Sequence, residues 1–432
     1  MRYDHLMTAG LFAVMSVSAH ATDLRTDVDR SYPSLRTLYQ TLHSHPELSN
    51  HELETAKRLA AEARSSGFDV TEHVGGNGVV AVLKNGSGPT VLIRTEEDAL
   101  PVQEATGLPF ASLVKQVAHA CGHDIHMTVW TGVGRWLAAN RAAWSGTLVM
   151  IAQPAEETGP GANAMLADGL FSRFPRPDFN LAIHDSADLP AGKVGYAPGY
   201  AYAAADSVDI EVKGIGGHGA SPQTTRDPVV LSSMIVLALQ TLVSRNTDPQ
   251  DAAVVTVGSI HGGTQHNIIG SSVHLQLTVR SYSDNTRSML LTGIKRIAEN
   301  EARALGLPED KLPIVTVGEG ASPATYNDPA LVERLVPALA TALGQQNLVK
   351  SPPIMASEDF SEYGRVEPKI PSVIWWVGAV EPDRFAAAAD KSTLPSLHSP
   401  LWAPDAEPAI KTGIVTLVTA SLELFGKKGL SN

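Results

Sequence analysis

Three apolar runs constrain this chain more than any other feature. Thr147–Ala152 (TLVMIA), Asn180–Ile183 (NLAI) and Val373–Val377 (VIWWV) carry almost no polar residue. A strand with one wet face alternates apolar and polar side chains, so a near-continuous run fits a strand covered on both faces. Helices must supply the cover, and stretches with helical spacing precede the first run, at Met127–Asn140, and the third, at Pro329–Leu343. The chain therefore reads as α/β, with a mostly parallel central sheet flanked by helices. In open sheets of this kind, ligands bind beyond the carboxyl ends of strands. The polar residues after the runs are then the place to look for chemistry. They are TEEDALP after Thr90–Arg94, QPAEE after Thr147–Ala152 and His184-Asp185 after Asn180–Ile183.

The segments between and around these runs divide the chain. Asp29–Phe68 has apolar residues at helical spacing and reads as two helices separated by HSHPELSNHE, where Pro46 is the breaker. Ser49 with Glu52 three residues on has the form of a capping box for the second helix. Gly78–Leu83 and Thr90–Arg94 read as strands around an Asn85-Gly86 turn. From about residue 203 to 318 the texture changes. Ser207–Lys213, Ala253–Ile260 and Val273–Val279 alternate polar and apolar, and Leu312–Val317 makes a fourth strand. Helical stretches at Pro228–Arg245 and Asn285–Leu305 interleave with them. The order β-α-β-β-α-β is that of a ferredoxin-like unit with an antiparallel sheet, inserted into the α/β domain.

Charge and the N-terminus bound location and partners. A formal charge of −12 argues against a nucleic-acid surface, which needs basic patches. Leu6–Ala19 is small and apolar and leads into Ala19-His20-Ala21, an A-x-A cleavage pattern. That reads as a secretory signal over residues 1–21, too short for a membrane span, and predicts a periplasmic or secreted protein. There is one cysteine, so no internal disulfide is expected.

That cysteine sits in AHACGHDIHMT (118–128), with His123 two residues on and His126 three after that. A thiolate and imidazoles at this spacing suit zinc and its neighbours, although a buried free cysteine beside satisfied histidines is the blander alternative. Glu156 and Glu157 follow a buried strand. On an irregular loop both can reach one site, one as a metal ligand and the other as a general base. His184 and His398 carry little signal on their own. A Cys121-His123 thiol hydrolase is a second enzyme reading, weakened by the single residue between them.

Seven pieces in order resemble the M20 metallopeptidase family, in particular its amidohydrolase branch of hippurate hydrolases and indole-acetyl-amino-acid hydrolases. They are HPELSNHE (45–52), RTEEDALP (94–101), ACGHDIH (120–126), QPAEE (153–157), GGHGASP (216–222), ASEDF (356–360) and LHSP (397–400). The resemblance implies two divalent metal ions (zinc, manganese, cobalt or nickel) held by Cys121, His123, Glu157, His184 and His398, with Cys121 bridging. It implies that Glu156 is the general base and that His218 helps hold the developing oxyanion. Asn267 and Arg280 become candidates for a substrate carboxylate, and Asp98 for orienting a ligating imidazole. His126 matches no direct ligand position.

The implied domains are a catalytic domain in two parts, 22–202 and 319–432, and a lid and dimerisation domain at 203–318. The implied partner is a small N-acyl amino acid or dipeptide-like substrate, and the implied assembly a homodimer through the inserted domain. The implied activity is amide hydrolysis; a catalytically inactive binding protein with the same fold is the alternative of another class. Three departures bear on the pocket. Glu96 stands where an aspartate is usual, Asp185-Ser186-Ala187 where an apolar residue, an aromatic and a proline are common, and Ile269-Gly270 ends the usual N-x-I-P.

Overall fold

The computed structural model describes residues 7–318 and 320–426. The side chains of 7–23 lie outside the described residues, and with them the predicted signal segment and its cleavage pattern. In chain order the principal elements begin with α1 (Met7–Ser44), α2 (Leu53–Ser65), β1 (Asp69–Thr71), β2 (Val79–Asn85) and β3 (Thr90–Glu96). Then come α3 (His123–Ala139), β4 (Gly146–Gln153), β5 (Phe179–Pro190) and β6 (Val194–Tyr196). Next are β7 (Ala204–Lys213), α4 (Pro228–Thr241), β8 (Ala253–Gly262), β9 (Ser272–Ser281), α5 (Asp284–Ala304) and β10 (Ile314–Val317). The chain closes with α6 (Pro329–Leu343), β11 (Leu348–Lys350), β12 (Ser372–Val380) and α7 (Ala406–Phe425).

Two compact units result. The first comprises 1–201, 326–352 and 362–432, and the second 202–325 and 353–361. The sequence reading left 353–361 in the catalytic part. The strip belongs with the inserted unit because Ala203 N donates to Ile354 O (3.2 Å) and Ala356 O (2.9 Å), and Thr325 Oγ1 donates to Glu358 O (2.9 Å).

The first unit is built on an eight-stranded sheet, in the order β1-β2-β4-β3-β5-β12-β6-β11. Its centre, β4-β3-β5-β12, is parallel. The three apolar runs are β4, the start of β5, and β12, in which every residue is buried. The Asn85-Gly86 turn does not close a hairpin. β4 inserts between β2 and β3, pairing antiparallel with one and parallel with the other. A two-residue turn pattern constrains the local bend, while burial decides which strand lies alongside. Helix α3 is buried almost all round, as a helix inside a core must be. Gly132 lets α7 approach it: a Cβ there would lie 2.4 Å from Ile414 Cδ1. Helix α7 is apolar enough for a membrane span, but its Ile414, Leu417 and Val418 are buried in this core.

The second unit has a four-stranded antiparallel sheet, β8-β9-β7-β10, in the ferredoxin-like order expected. β7 alternates strictly between buried and more exposed positions, so one face carries Val208, Ile210 and Val212 into the core. Helices α4 and α5 cover that face. α4 starts at Asp227, whose side chain accepts from Val229 N, and α5 at Ser283, whose Oγ accepts from Thr286 N.

A buried ion pair ties α1 to α3 in the first unit. His43 Nδ1 lies 2.6 Å from Asp124 Oδ2, and its Nε2 lies 3.3 Å from Glu104 Oε1. Burial alone would lower the imidazole. Hydrogen bonds to the two carboxylates outweigh it and hold His43 at about 10. A raised folded-state value means that protonated His43 stabilises the fold fully below its ordinary 6.5, and that this stability is lost as pH rises through about 10. His43→Gln is therefore expected to lower the melting temperature at pH 6. The gap from the parent should narrow as pH rises through 10. A gap independent of pH would contradict the charged pair.

Candidate functional site

Level strand ends assemble the site in the first unit. Glu96 and Gln153, the last residues of β3 and β4, are register partners in a parallel pair. Asp98 therefore leaves the sheet beside Pro154–Glu157. Cys121 and His123 flank Gly122 at the start of α3. Gly122 has φ +78°, and a Cβ there would sit 2.2 Å from Asp185 Oδ2, so only glycine fits on both counts. His184 was expected at a strand end. It lies inside β5, which runs on to Pro190 because its second half pairs with β12 as far as Val380. His398, at φ +65°, is held on its loop by a hydrogen bond from its own N–H to Ala120 O (2.7 Å).

These five side chains converge. Cys121 Sγ lies 3.7 Å from His184 Nε2 and 3.3 Å from His398 Nε2. His123 Nε2 lies 3.8 Å from Glu157 Oε1, and His398 Nε2 lies 3.6 Å from Glu157 Oε2. Two sets of ligand atoms share Cys121: Cys121 with His123 and His184, and Cys121 with Glu157 and His398. Among the described residues, buried His123 Nε2 and Glu157 Oε1 have no hydrogen-bond partner. Orphaned, convergent donor atoms of S, N and O type are what a pair of divalent cations requires. Glu156 Oε2 is 4.0 Å from His123 Nε2, and Glu156 groups with His123 and Glu157 rather than with the two sets named for Cys121.

Asp98 orients two of the candidate ligands. Its backbone carbonyl is 2.8 Å from His123 Nδ1, its Oδ1 is 3.4 Å away, and its Oδ2 accepts from Glu157 N (3.0 Å) and Ser49 Oγ (2.6 Å). Ser49 is therefore no cap, which corrects the capping-box expectation, and Glu52 is not at the third helical position. Glu52 itself precedes α2, and the helix's first amides are met by Glu47, which accepts from Glu54 N (3.3 Å) and Thr55 N (2.8 Å). Glu52 instead accepts from Ala155 N (2.9 Å), Asn50 N (2.7 Å) and Asn77 Nδ2 (3.1 Å). Ala155 has φ +51°, a strained conformation for a residue with a Cβ. Glu52 thus pins the turn that lets adjacent Glu156 and Glu157 reach one place.

Electrostatics separate the roles. Burial, with Glu157 close by, pushes the Cys121 thiol well above its ordinary value. An activated nucleophile needs the opposite shift, so these surroundings do not favour the thiol-hydrolase alternative. Glu97, fully buried with neither carboxylate oxygen hydrogen-bonded among the described residues, carried no role in the sequence reading. Burial and then Glu52, Asp98 and Glu47 push it well above the usual carboxylate range. The signal was present as three consecutive acids, Glu96-Glu97-Asp98. His126, given no role from the sequence, packs between two candidate ligands, its ring centre 5.4 Å from that of His123 and 4.7 Å from that of His184.

The remaining candidates lie in the second unit. His218 and Ile268 are register partners in a short two-stranded pair, and Gly219 N donates to Asn267 O (2.8 Å), which brings His218 and Asn267 together. Ala220 N donates to His218 Nδ1 (3.0 Å), so the ring proton sits on Nε2. Arg280, on β9, is half-buried, and its buried Nη1 has no hydrogen-bond partner among the described residues.

Known proteins resemble this chain along most of its length. The family model described as Peptidase family M20/M25/M40 matches residues 92–397. A hippurate hydrolase of Campylobacter jejuni is 37% identical over 74% of this chain and 82% of its own. The IAA-amino acid hydrolase ILR1-like 2 of Arabidopsis thaliana is 36% identical over 76% and 73%. Among solved structures, Bacillus subtilis YXEP, described as a dinuclear metal binding peptidase from M20 family, superposes with a TM-score of 0.73. It is 28% identical and covers 92% of this chain and 99% of its own.

The Glu52 anchor is directly testable. Glu52→Ala leaves the Ala155 N–H without its acceptor, which should cost about 1–3 kcal/mol in denaturant unfolding. Hydrolytic activity should fall about tenfold or more as Glu156 loses its position. Glu52→Gln keeps an acceptor oxygen and should retain most of both. An active, stable Glu52→Ala protein would contradict the assignment.

Proposed function

Because the chain belongs to Peptidase family M20/M25/M40, whose amidohydrolases and peptidases are hydrolases, we propose that it hydrolyses the amide bond of small N-acyl amino acids. The observation that carries this reading is the convergence of Cys121, His123, Glu157, His184 and His398, with the Glu156 carboxylate 4.0 Å from His123 Nε2. The relatives' names, a hippurate hydrolase and an IAA-amino acid hydrolase, support the substrate class.

The residues divide the work. Cys121, His123 and His184 would hold one divalent cation, and Cys121, Glu157 and His398 the other. Two such ions, of zinc, manganese, cobalt or nickel, supply the positive charge that polarises the scissile carbonyl and lowers the pKa of water. Glu156 takes a proton from the attacking water on a carboxylate oxygen and delivers it to the departing nitrogen, which must leave as a neutral amine. His218 presents an Nε2–H, the form able to donate to a developing oxyanion. Arg280 and Asn267 are assigned to the substrate carboxylate. A guanidinium binds a carboxylate in bidentate fashion, and the buried Nη1 of Arg280 has no hydrogen-bond partner among the described residues. The reading extends to a homodimer through the second unit and to export by the leader at 1–21.

Glu156→Gln tests the mechanism. It should bind metal as the parent does and lose turnover of N-acyl amino acids about 10²–10⁴-fold. A chelator should abolish parent activity, and cobalt, manganese or zinc should restore it. Turnover by Glu156→Gln at the parent's rate would overturn the assignment.

A further inference from the structure

Two of the departures noted in the sequence, Glu96 and Asp185, meet in space at a third residue. Arg94, fully buried, donates from Nη1 to Glu96 Oε1 and from Nε to Gln153 Oε1 (2.9 Å). The other Glu96 oxygen, Oε2, lies 3.0 Å from His126 Nδ1. His126 Nε2 receives the backbone N–H of Asp185 at 2.8 Å. The same Nε2 lies 3.3 Å from Asp185 Oδ1, but its shorter contact is with an amide N–H, which can only donate, so Nε2 is an acceptor. The His126 proton is then on Nδ1, facing Glu96. Asp185 continues the chain of contacts. Its carbonyl lies 2.8 Å from His184 Nδ1, and its Oδ1 lies 3.3 Å from the same atom. His184 donates there and keeps its proton on Nδ1, which leaves the lone pair of Nε2 directed toward Cys121, 3.7 Å away.

The geometry points to Glu96, His126 and Asp185 as one positioning unit that fixes the tautomer and orientation of His184. Each link has a defined direction. Arg94 locks the Glu96 carboxylate, Glu96 sets the His126 proton, and His126 holds the peptide after His184 in β5. That peptide's carbonyl, with the Asp185 carboxylate, ties back His184 Nδ1. Gly122 completes the arrangement, because any Cβ at that position would fall on the Asp185 carboxylate. His126 also buttresses the rings of His123 and His184. All four residues Glu96, His126, His184 and Asp185 are buried. In such surroundings an unmatched donor or acceptor costs about 1–3 kcal/mol, which makes the sequence of donors hard to reverse.

This inference rests on the reading of His184 as a metal ligand, and its test separates the two. The first readout is the nitrogen-15 chemical shifts of the His184 ring in the full-length protein labelled at histidine and stripped of metal. The parent should show the Nδ1–H form. His126→Phe removes both the acceptor for Asp185 N and the link to Glu96, and His184 should lose that single tautomer. Glu96→Gln keeps an acceptor oxygen facing His126 Nδ1 and should preserve it. If His126→Phe fails to fold, Glu96→Ala breaks the same chain one link further out, and the same loss is expected. An unchanged Nδ1–H signal in whichever disruptive variant folds would overturn the proposal, whatever the protein's activity. The second readout is titration with cobalt. The disruptive variant should bind one of two equivalents about ten- to a hundredfold more weakly than the parent. A parent that binds no cobalt would instead overturn the metal reading and leave the tautomer result standing. Equal affinity for both equivalents in parent and variant would overturn the proposal.

Discussion

The Asp98 carboxylate is the constraint on which the site depends. One oxygen accepts from Ser49 and from the backbone of Glu157, the other approaches His123, and the carbonyl of the same residue meets the His123 ring. A single residue after β3 therefore places one candidate ligand on the loop after β4 and another at the start of α3. It can do so only because β3 and β4 are parallel and end level. The parallel order in turn follows from strands apolar on both faces, which need helices on both sides and crossover connections between them. The chemistry sits where it does because of the hydrophobic pattern that built the sheet.

Glu52 and His126 show a second layer of control. Glu52 holds Ala155 in a left-handed turn, so two consecutive carboxylates reach one place. The site thus uses strain at Ala155 and at His398, both with positive φ and both fixed by hydrogen bonds from or to neighbouring segments. His126, Glu96 and Asp185 form a separate buried network on the other side of His184.

Much of this was legible from the residues. The three apolar runs located the central strands, alternation in Ser207–Lys213 and its partners marked the antiparallel unit, and the Cys-x-His and Glu-Glu pairs marked the site. What was hidden depended on long-range partners. Ser49 and Glu52 have the spacing of a capping box, and only the fold shows their side chains committed to Asp98 and Ala155. The Asn85-Gly86 turn looked like a hairpin because turn chemistry is local, whereas the intervening β4 comes from sixty residues away. Glu96 and Asp185 were visible as departures, but nothing in a linear sequence says that both face His126. The strip 353–361 joined the second unit through hydrogen bonds to its own backbone carbonyls, which have no signature in its sequence.

The central claim is that Cys121 is a thiolate shared by two cations. X-ray absorption at the metal edge of the zinc- or cobalt-loaded protein tests it most directly. The account predicts sulfur in the first shell at about 2.3 Å for zinc. It also predicts a metal–metal vector of about 3.5–4 Å, with both features lost in Cys121→Ala. A first shell of nitrogen and oxygen alone, unchanged by that substitution, would contradict it.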